Sequence, residues 1–303
     1  MITADILKTS SYSEIIEEAK INLKKLSSLH IKVPEDSWFY EALSHAEDTE
    51  EQRVLGNLEK YTSDPSIAWK TTIAFGNLSE ANLIIRKIDT LLETSEQVVR
   101  RKLNDVVRMP LRMLDESSDA GTNLGRNTLF ELRLATRLAS AGYSPILYAK
   151  HPDILIPTDG FDYPIECKRV FSSKSFENLS YEAIRQLEER SLNDRNRLGI
   201  VAVSITRHFH KGDKKLYAES SEKIGEFADK ETERFVKEKL PSVFRKFPIN
   251  IPCLILDFSD LAESDRPYWA HWLYLIETTN NNDSSKYVYI QRDLNKLLVN
   301  QNE

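Results

Sequence analysis

Apolar residues in the first part of the chain recur every three to four positions, the period of a buried helical stripe. Ser13-Glu14-Ile15-Ile16 opens one such stripe, which runs on through Ala19, Leu23 and Leu26. Ser79-Glu80-Ala81 opens another, continued by Leu83, Ile84, Ile85, Ile88, Leu91 and Leu92, and a third passes through Val98, Leu103, Val106 and Val107. Val33-Pro34-Glu35-Asp36-Ser37 and Ser63-Asp64-Pro65-Ser66 read as turns or caps between helices. No internal repeat is present. The polar run Asp115 to Gly121 marks the expected boundary between a helical domain, residues 1–118, and a second domain, residues 119–303.

Beyond that boundary the period changes. A helix is expected over 123–141, ended by Gly142 as a C-terminal cap. Residues 145–149, 153–156 and 163–170 are short, apolar or alternating, and bounded by turn residues such as Thr158-Asp159-Gly160, so they read as strands. A helix over 176–194, a strand over 199–205, a helix over 220–240 and a strand over 251–258 follow. Trp272–Glu277 and Tyr287–Ile290 read as two further strands joined through Asn280-Asn281-Asn282-Asp283. The order predicts an α+β protein, with a mixed sheet flanked by helices in the second domain.

Composition changes this picture little. Apolar residues at 41% and charged residues at 29% are ordinary for a soluble globular chain. No apolar run approaches the length needed to span a bilayer. Met1-Ile2-Thr3-Ala4-Asp5 lacks the basic-then-apolar pattern of a secretion signal. Cys167 and Cys253 both sit in apolar strand-like runs, which fits core packing in a reducing cytoplasm and gives no zinc pattern. The net charge of -6 is unevenly spread, with 15 basic and 20 acidic side chains in residues 1–118 against 26 and 27 in the remainder. The second domain is therefore near neutral. Trp38, Trp69, Trp269 and Trp272 read as packing residues, and no glycine-rich phosphate loop or helicase motif suggests ATP use.

Candidate chemistry centres on Glu166-Cys167-Lys168. Residues two apart on a strand share a face, so Glu166 and Lys168 point together, and an acid and an amine on an apolar strand are costly to desolvate without a purpose. The pattern alone is weak, because Glu18-Ala19-Lys20 and Asp213-Lys214-Lys215 also fit it, one in a helical stripe and one in a charged loop. Pro152-Asp153 lies 13 residues before Glu166, a span that an antiparallel strand pair fills, bringing Asp153 back beside Glu166. Glu131 falls on the same helical face as Thr128, Leu134, Ala135 and Leu138, so a carboxylate interrupts an apolar stripe, while Arg133 and Arg137 fall on the opposite, solvent-facing side. His151 reads as a surface histidine at a strand start, with contact to the site as the alternative.

With Glu131 on the first helix, then Pro152-Asp153, then Glu166-Cys167-Lys168, the chain resembles the PD-(D/E)XK nuclease superfamily, the restriction-endonuclease-like fold. The resemblance covers about residues 119–260 and leaves 1–118 aside. It implies Mg²⁺ or Mn²⁺ held by Asp153, Glu166 and the backbone carbonyl of Cys167, with Glu131 completing the shell. Lys168 would orient the attacking water, and Gln186, on one face of the next helix with Leu179, Ala183 and Arg190, would assist. The implied activity is hydrolysis of nucleic-acid phosphodiesters, DNA before RNA, in a restriction or anti-phage defence setting. The helical domain would then engage a partner or a second copy. Arg169 and Lys174 beside the site, and Arg207, Lys211 and Lys214 in the basic loop that also holds His208, Phe209 and His210, are the expected nucleic-acid contacts. The alternatives are an adaptor that keeps the fold without catalysis, and an RNA-cleaving enzyme.

Overall fold

The structure is a computed structural model that describes residues 2–6, 11–111, 120–190, 196–206, 216–217, 219–263, 267–278 and 285–294. It is an α+β protein built on a mixed, open sheet with helices on both faces. The strands are β1 (Ile2–Ile6), β2 (Ile146–Leu147), β3 (Ile154–Ile156), β4 (Tyr163–Arg169), β5 (Ile200–Ser204), β6 (Leu216–Tyr217), β7 (Cys253–Glu263) and β8 (Pro267–Glu277). Their order is β1-β8-β7-β5-β4-β3-β2, with β6 beside β7. Strands β4, β5 and β7 are parallel, while β2, β3, β8 and β1 run antiparallel to their neighbours.

Five helices precede the second strand's helix: α1 (Tyr12–Ser28), α2 (Trp38–Val54), α3 (Leu58–Tyr61), α4 (Pro65–Arg86) and α5 (Ile88–Val106), followed by α6 (Ala120–Ser140). Local sequence explains their ends. Ser11 and Glu14 form a reciprocal capping box on α1. Asp64 caps α4, whose first residue is Pro65. Gly142, at φ 86°, takes the left-handed conformation just past α6. The expected helix start at Ser79 is instead the middle of α4, where the Ser79 hydroxyl bonds back to the Phe75 carbonyl at 2.7 Å. Ile88, Leu91 and Leu92 belong to α5.

The sheet alternation divides the core. Ile165, Cys167, Ile200, Ala202, Cys253 and Ile255 face the helices α1, α2 and α4–α6 in one continuous apolar cluster. Val201, Val203, Leu254, Leu256 and Phe258 face α7 (Ser173–Arg190) and α8 (Ser221–Phe244) in a second. The N-terminal helices thus form one outer layer of the sheet and share its core.

Three departures from the expected layout have clear causes. Residues 2–6 lie in an expected helical domain, yet Ile2, Ala4 and Ile6 alternate with polar residues and pair with Tyr274, Trp272 and Ala270 as an edge strand. Tyr287–Ile290 is part of a helix, α9 (Ser285–Asp293), because Tyr287, Ile290 and Leu294 bury one face at helical spacing while Val288 stays exposed. Arg133 is buried rather than solvent-facing. Its guanidinium donates to Glu80 Oε1 on α4 at 2.5 Å and to Asp257 Oδ2 on β7, and all three side chains are at most 6% exposed. A helical face away from one neighbour is not a face toward water when a second layer covers it.

The α5–α6 contact is close enough to require glycine. A Cβ at Gly125 would sit 2.6 Å from Met109 Cβ and 2.8 Å from the Asp105 carbonyl oxygen. Among the described residues no helix is long and apolar enough to cross a membrane. Cys167 and Cys253 are both free and buried.

Removing one member of a buried ion triad leaves uncompensated charge, at a cost of about 3–5 kcal/mol. Arg133→Met should therefore lower unfolding free energy by about that amount in urea titrations; a loss under about 1 kcal/mol would mean the triad behaves like a solvated pair.

Candidate functional site

Strand register builds the site. Ile154 pairs with Ile165, so Asp153 falls opposite Glu166, and the Asp153 amide continues the ladder by donating to the Ile165 carbonyl at 3.1 Å. The Asp153 carboxylate then accepts the Cys167 amide through Oδ2 at 2.8 Å, which fixes its direction. Glu166 and Lys168 share the opposite face of β4 from Cys167, as strand alternation requires. Lys168 Nζ reaches Glu166 Oε1 at 3.1 Å, Glu182 Oε1 at 3.2 Å and Gln186 Oε1 at 2.6 Å. Gln186 in turn donates to Glu182 at 3.0 Å, so two successive turns of α7 hold the ammonium.

Glu131 arrives from α6 and is paired with Lys102 of α5, with the two side chains 14% and 8% exposed. His151, beside the cis peptide to Pro152, places Nδ1 2.7 Å from Glu166 Oε1. The contact of His151 with the site is the alternative its sequence position left open, whereas Lys102 was not singled out. The His151 signal was its position two residues before Asp153, in the bend that leads into β3. Lys102 carried only a weak one, a lysine one place before the apolar Leu103 of its helix.

One group of ligand atoms, from His151, Asp153 and Glu166, lies within 4.8 Å of one another. Glu166 is 1% exposed and its Oε2 has no hydrogen-bond partner, an expensive state for a buried oxygen. Two carboxylates and an imidazole are a donor set suited to a divalent ion, the oxygens fitting Mg²⁺ and the nitrogen favouring Mn²⁺. Glu131 stands beside this group rather than in it.

Electrostatics reflect the crowding. Burial, then the neighbouring Asp153 charge, pushes Glu166 up to about 8 and Glu131 up to about 7. Burial also raises Asp153, against the pull of the Cys167 amide and Lys102. For Lys168 burial acts downward, but Glu166 and Glu182 outweigh it and the ammonium is held above its ordinary value. Burial shifts the His151 imidazole below its ordinary value.

Of the remaining expected contacts, Arg169 has a described side chain. Arg169 lies on the Cys167 face of β4, is 9% exposed, and reaches Asn127 Oδ1 at 3.3 Å, one turn before Glu131 on α6. Lys174 falls in the first turn of α7, its side chain outside the described residues. Arg207, Lys211 and Lys214, with His208, Phe209 and His210, also lie outside them. No protein-family model matches the chain, and no curated protein matches it.

The pH response follows from these shifts. Carboxyls whose folded pKa is raised bind protons more tightly folded than unfolded, so they stabilise below 4.5 and lose that contribution as pH rises through about 7 and about 8. His151, shifted down from 6.5, acts in the opposite sense. In EDTA, thermal midpoints by differential scanning fluorimetry should fall between pH 5 and 8, and Mn²⁺ should flatten that fall. A midpoint that rises over this range in EDTA contradicts the crowded-carboxylate picture.

Proposed function

We propose that this chain is a divalent-metal-dependent phosphodiesterase of the PD-(D/E)XK kind, hydrolysing nucleic acid with DNA as its main substrate. The observation that carries this reading is the joint placement of an amine and an ion-sized donor group. Lys168 stands 3.1 Å from Glu166, whose second oxygen is buried and unpartnered beside His151 and Asp153. A structural ion pair alone leaves no reason for three further ionisable groups at one buried corner. The sequence order helix, hairpin, helix, strand around that corner agrees with the same reading.

When bound, the ion supplies Lewis acidity toward a phosphoryl oxygen. The chain supplies the rest. Asp153, fixed by the Cys167 amide, and Glu166, fixed on β4, would hold the ion together with His151. Lys168 would hold the attacking water by hydrogen bond and offset charge growing on the phosphate. Gln186 and Glu182 set the reach of the ammonium, so they act through Lys168 as positioning residues. The ligand set would depart from the one implied by resemblance, with His151 in place of Glu131 and the Cys167 carbonyl kept beside Asp153 and Glu166.

Full-length protein incubated with plasmid DNA, single-stranded DNA and RNA in Mg²⁺ or Mn²⁺ tests this directly. Cleavage should require metal and be faster on DNA. Removing one preorganised charge at a reacting centre costs on the order of 10²–10³ in rate. Lys168→Ala should therefore retain Mn²⁺ binding and lose at least about a hundredfold in rate, whereas Asp153→Asn should lose both. Undiminished cutting by Lys168→Ala would remove that residue from the reaction, and no cutting of any substrate by the wild type would leave a non-catalytic adaptor.

A further inference from the structure

Lys102 and Glu131 come from different helices, 29 positions apart, and form an ion pair that is almost enclosed. The contact is built in. The α5 and α6 backbones approach so closely at Gly125 that no Cβ fits between them, which brings α5 down onto α6. Resemblance assigns Glu131 to the metal shell. The geometry instead gives its Oε2 to an ammonium that the N-terminal layer delivers.

We propose that Lys102 is a resident cation of this site, holding Glu131 out of the ligand set so that the site takes one divalent ion, on His151, Asp153 and Glu166, instead of two. This rests on the metal-dependent reading above. Two observations support it. Among the described residues, ligand atoms close enough to share an ion come from His151, Asp153 and Glu166, and Glu131 is not among them. A second ion would need the Glu131 carboxylate, which Lys102 already engages. Lys102 as a purely structural group predicts the same stability loss on substitution but no change in the number of ions.

Counting bound Mn²⁺ on the full chain distinguishes these cases. Equilibrium dialysis, with free Mn²⁺ read by electron paramagnetic resonance, should give one ion per wild-type chain, two for Lys102→Met, and one for Lys102→Arg. Two ions on the wild type, or one on a folded Lys102→Met, overturns the inference while leaving metal dependence intact. No ion on the wild type removes the metal-dependent reading itself, and the inference with it. Should Lys102→Met fail to fold by circular dichroism, Glu131→Gln decides with the wild-type count. It should still bind one ion, and loss of that ion would make Glu131 a ligand and overturn the proposal.

Discussion

Three carboxylates pressed into one poorly solvated corner repel one another, and the arrangement around them answers that repulsion. Glu131, Asp153 and Glu166 are each raised above the ordinary carboxylate range, and for each the leading cause is burial. The surroundings reply with different means. Asp153 receives a backbone amide, Glu131 receives Lys102, and Glu166 shares Lys168 with Glu182 and Gln186. One oxygen, Glu166 Oε2, receives nothing. A fold selected only for stability would replace such a group with an apolar residue, since well-packed hydrophobic substitutes for buried charge are often neutral or stabilising. Keeping it makes sense where something else completes the corner.

The scaffold fixes that corner from three directions. The β3–β4 register sets Asp153 against Glu166, and a slip of one residue would turn Glu166 and Lys168 to the other face. The parallel pairing of β4 with β5, Glu166 beside Val201 and Lys168 beside Val203, holds that strand inside the sheet instead of at an edge. On the far side, the fork of Arg133 between Glu80 and Asp257 ties α4, α6 and β7 together two residues from Glu131. Rotation of α6 that moved Glu131 would also strip Arg133 from its buried partners. The position of the carboxylate is thus coupled to the joint between the helical layer and the sheet.

Much of this was legible in the sequence, and the limits have a common origin. Period-three-to-four and period-two patterns located α1, α6, β4 and β5, and the Pro-Asp to Glu-x-Lys spacing brought Asp153, Glu166 and Lys168 together in advance. Gln186, implied by the resemblance at its place on the next helix, does meet Lys168. What could not be read were groups whose partners lie on another element. Arg133 looked solvent-facing because its partners, Glu80 and Asp257, stand 53 and 124 positions away. Lys102 looked like one more charge on an amphipathic helix for the same reason. The strand-like Tyr287–Ile290 failed differently, since aromatic and β-branched residues favour strands while the burial of Tyr287 and Ile290 at helical spacing decided otherwise.

A cation carried by the chain differs from one taken from solution in how it can be controlled. Occupancy by a metal follows its concentration, whereas Lys102 is present whenever α5 lies against α6, so its delivery depends on packing. That packing is tight at Gly125 and rests on apolar contacts shared between the helical layer and the sheet. Any shift of α5 away from α6 would release Glu131 and withdraw the Lys102 charge that favours the ionised form of Asp153. The helical layer is therefore more than a cover over the sheet. Through Lys102 it helps set the electrostatic balance around Glu131 and Asp153.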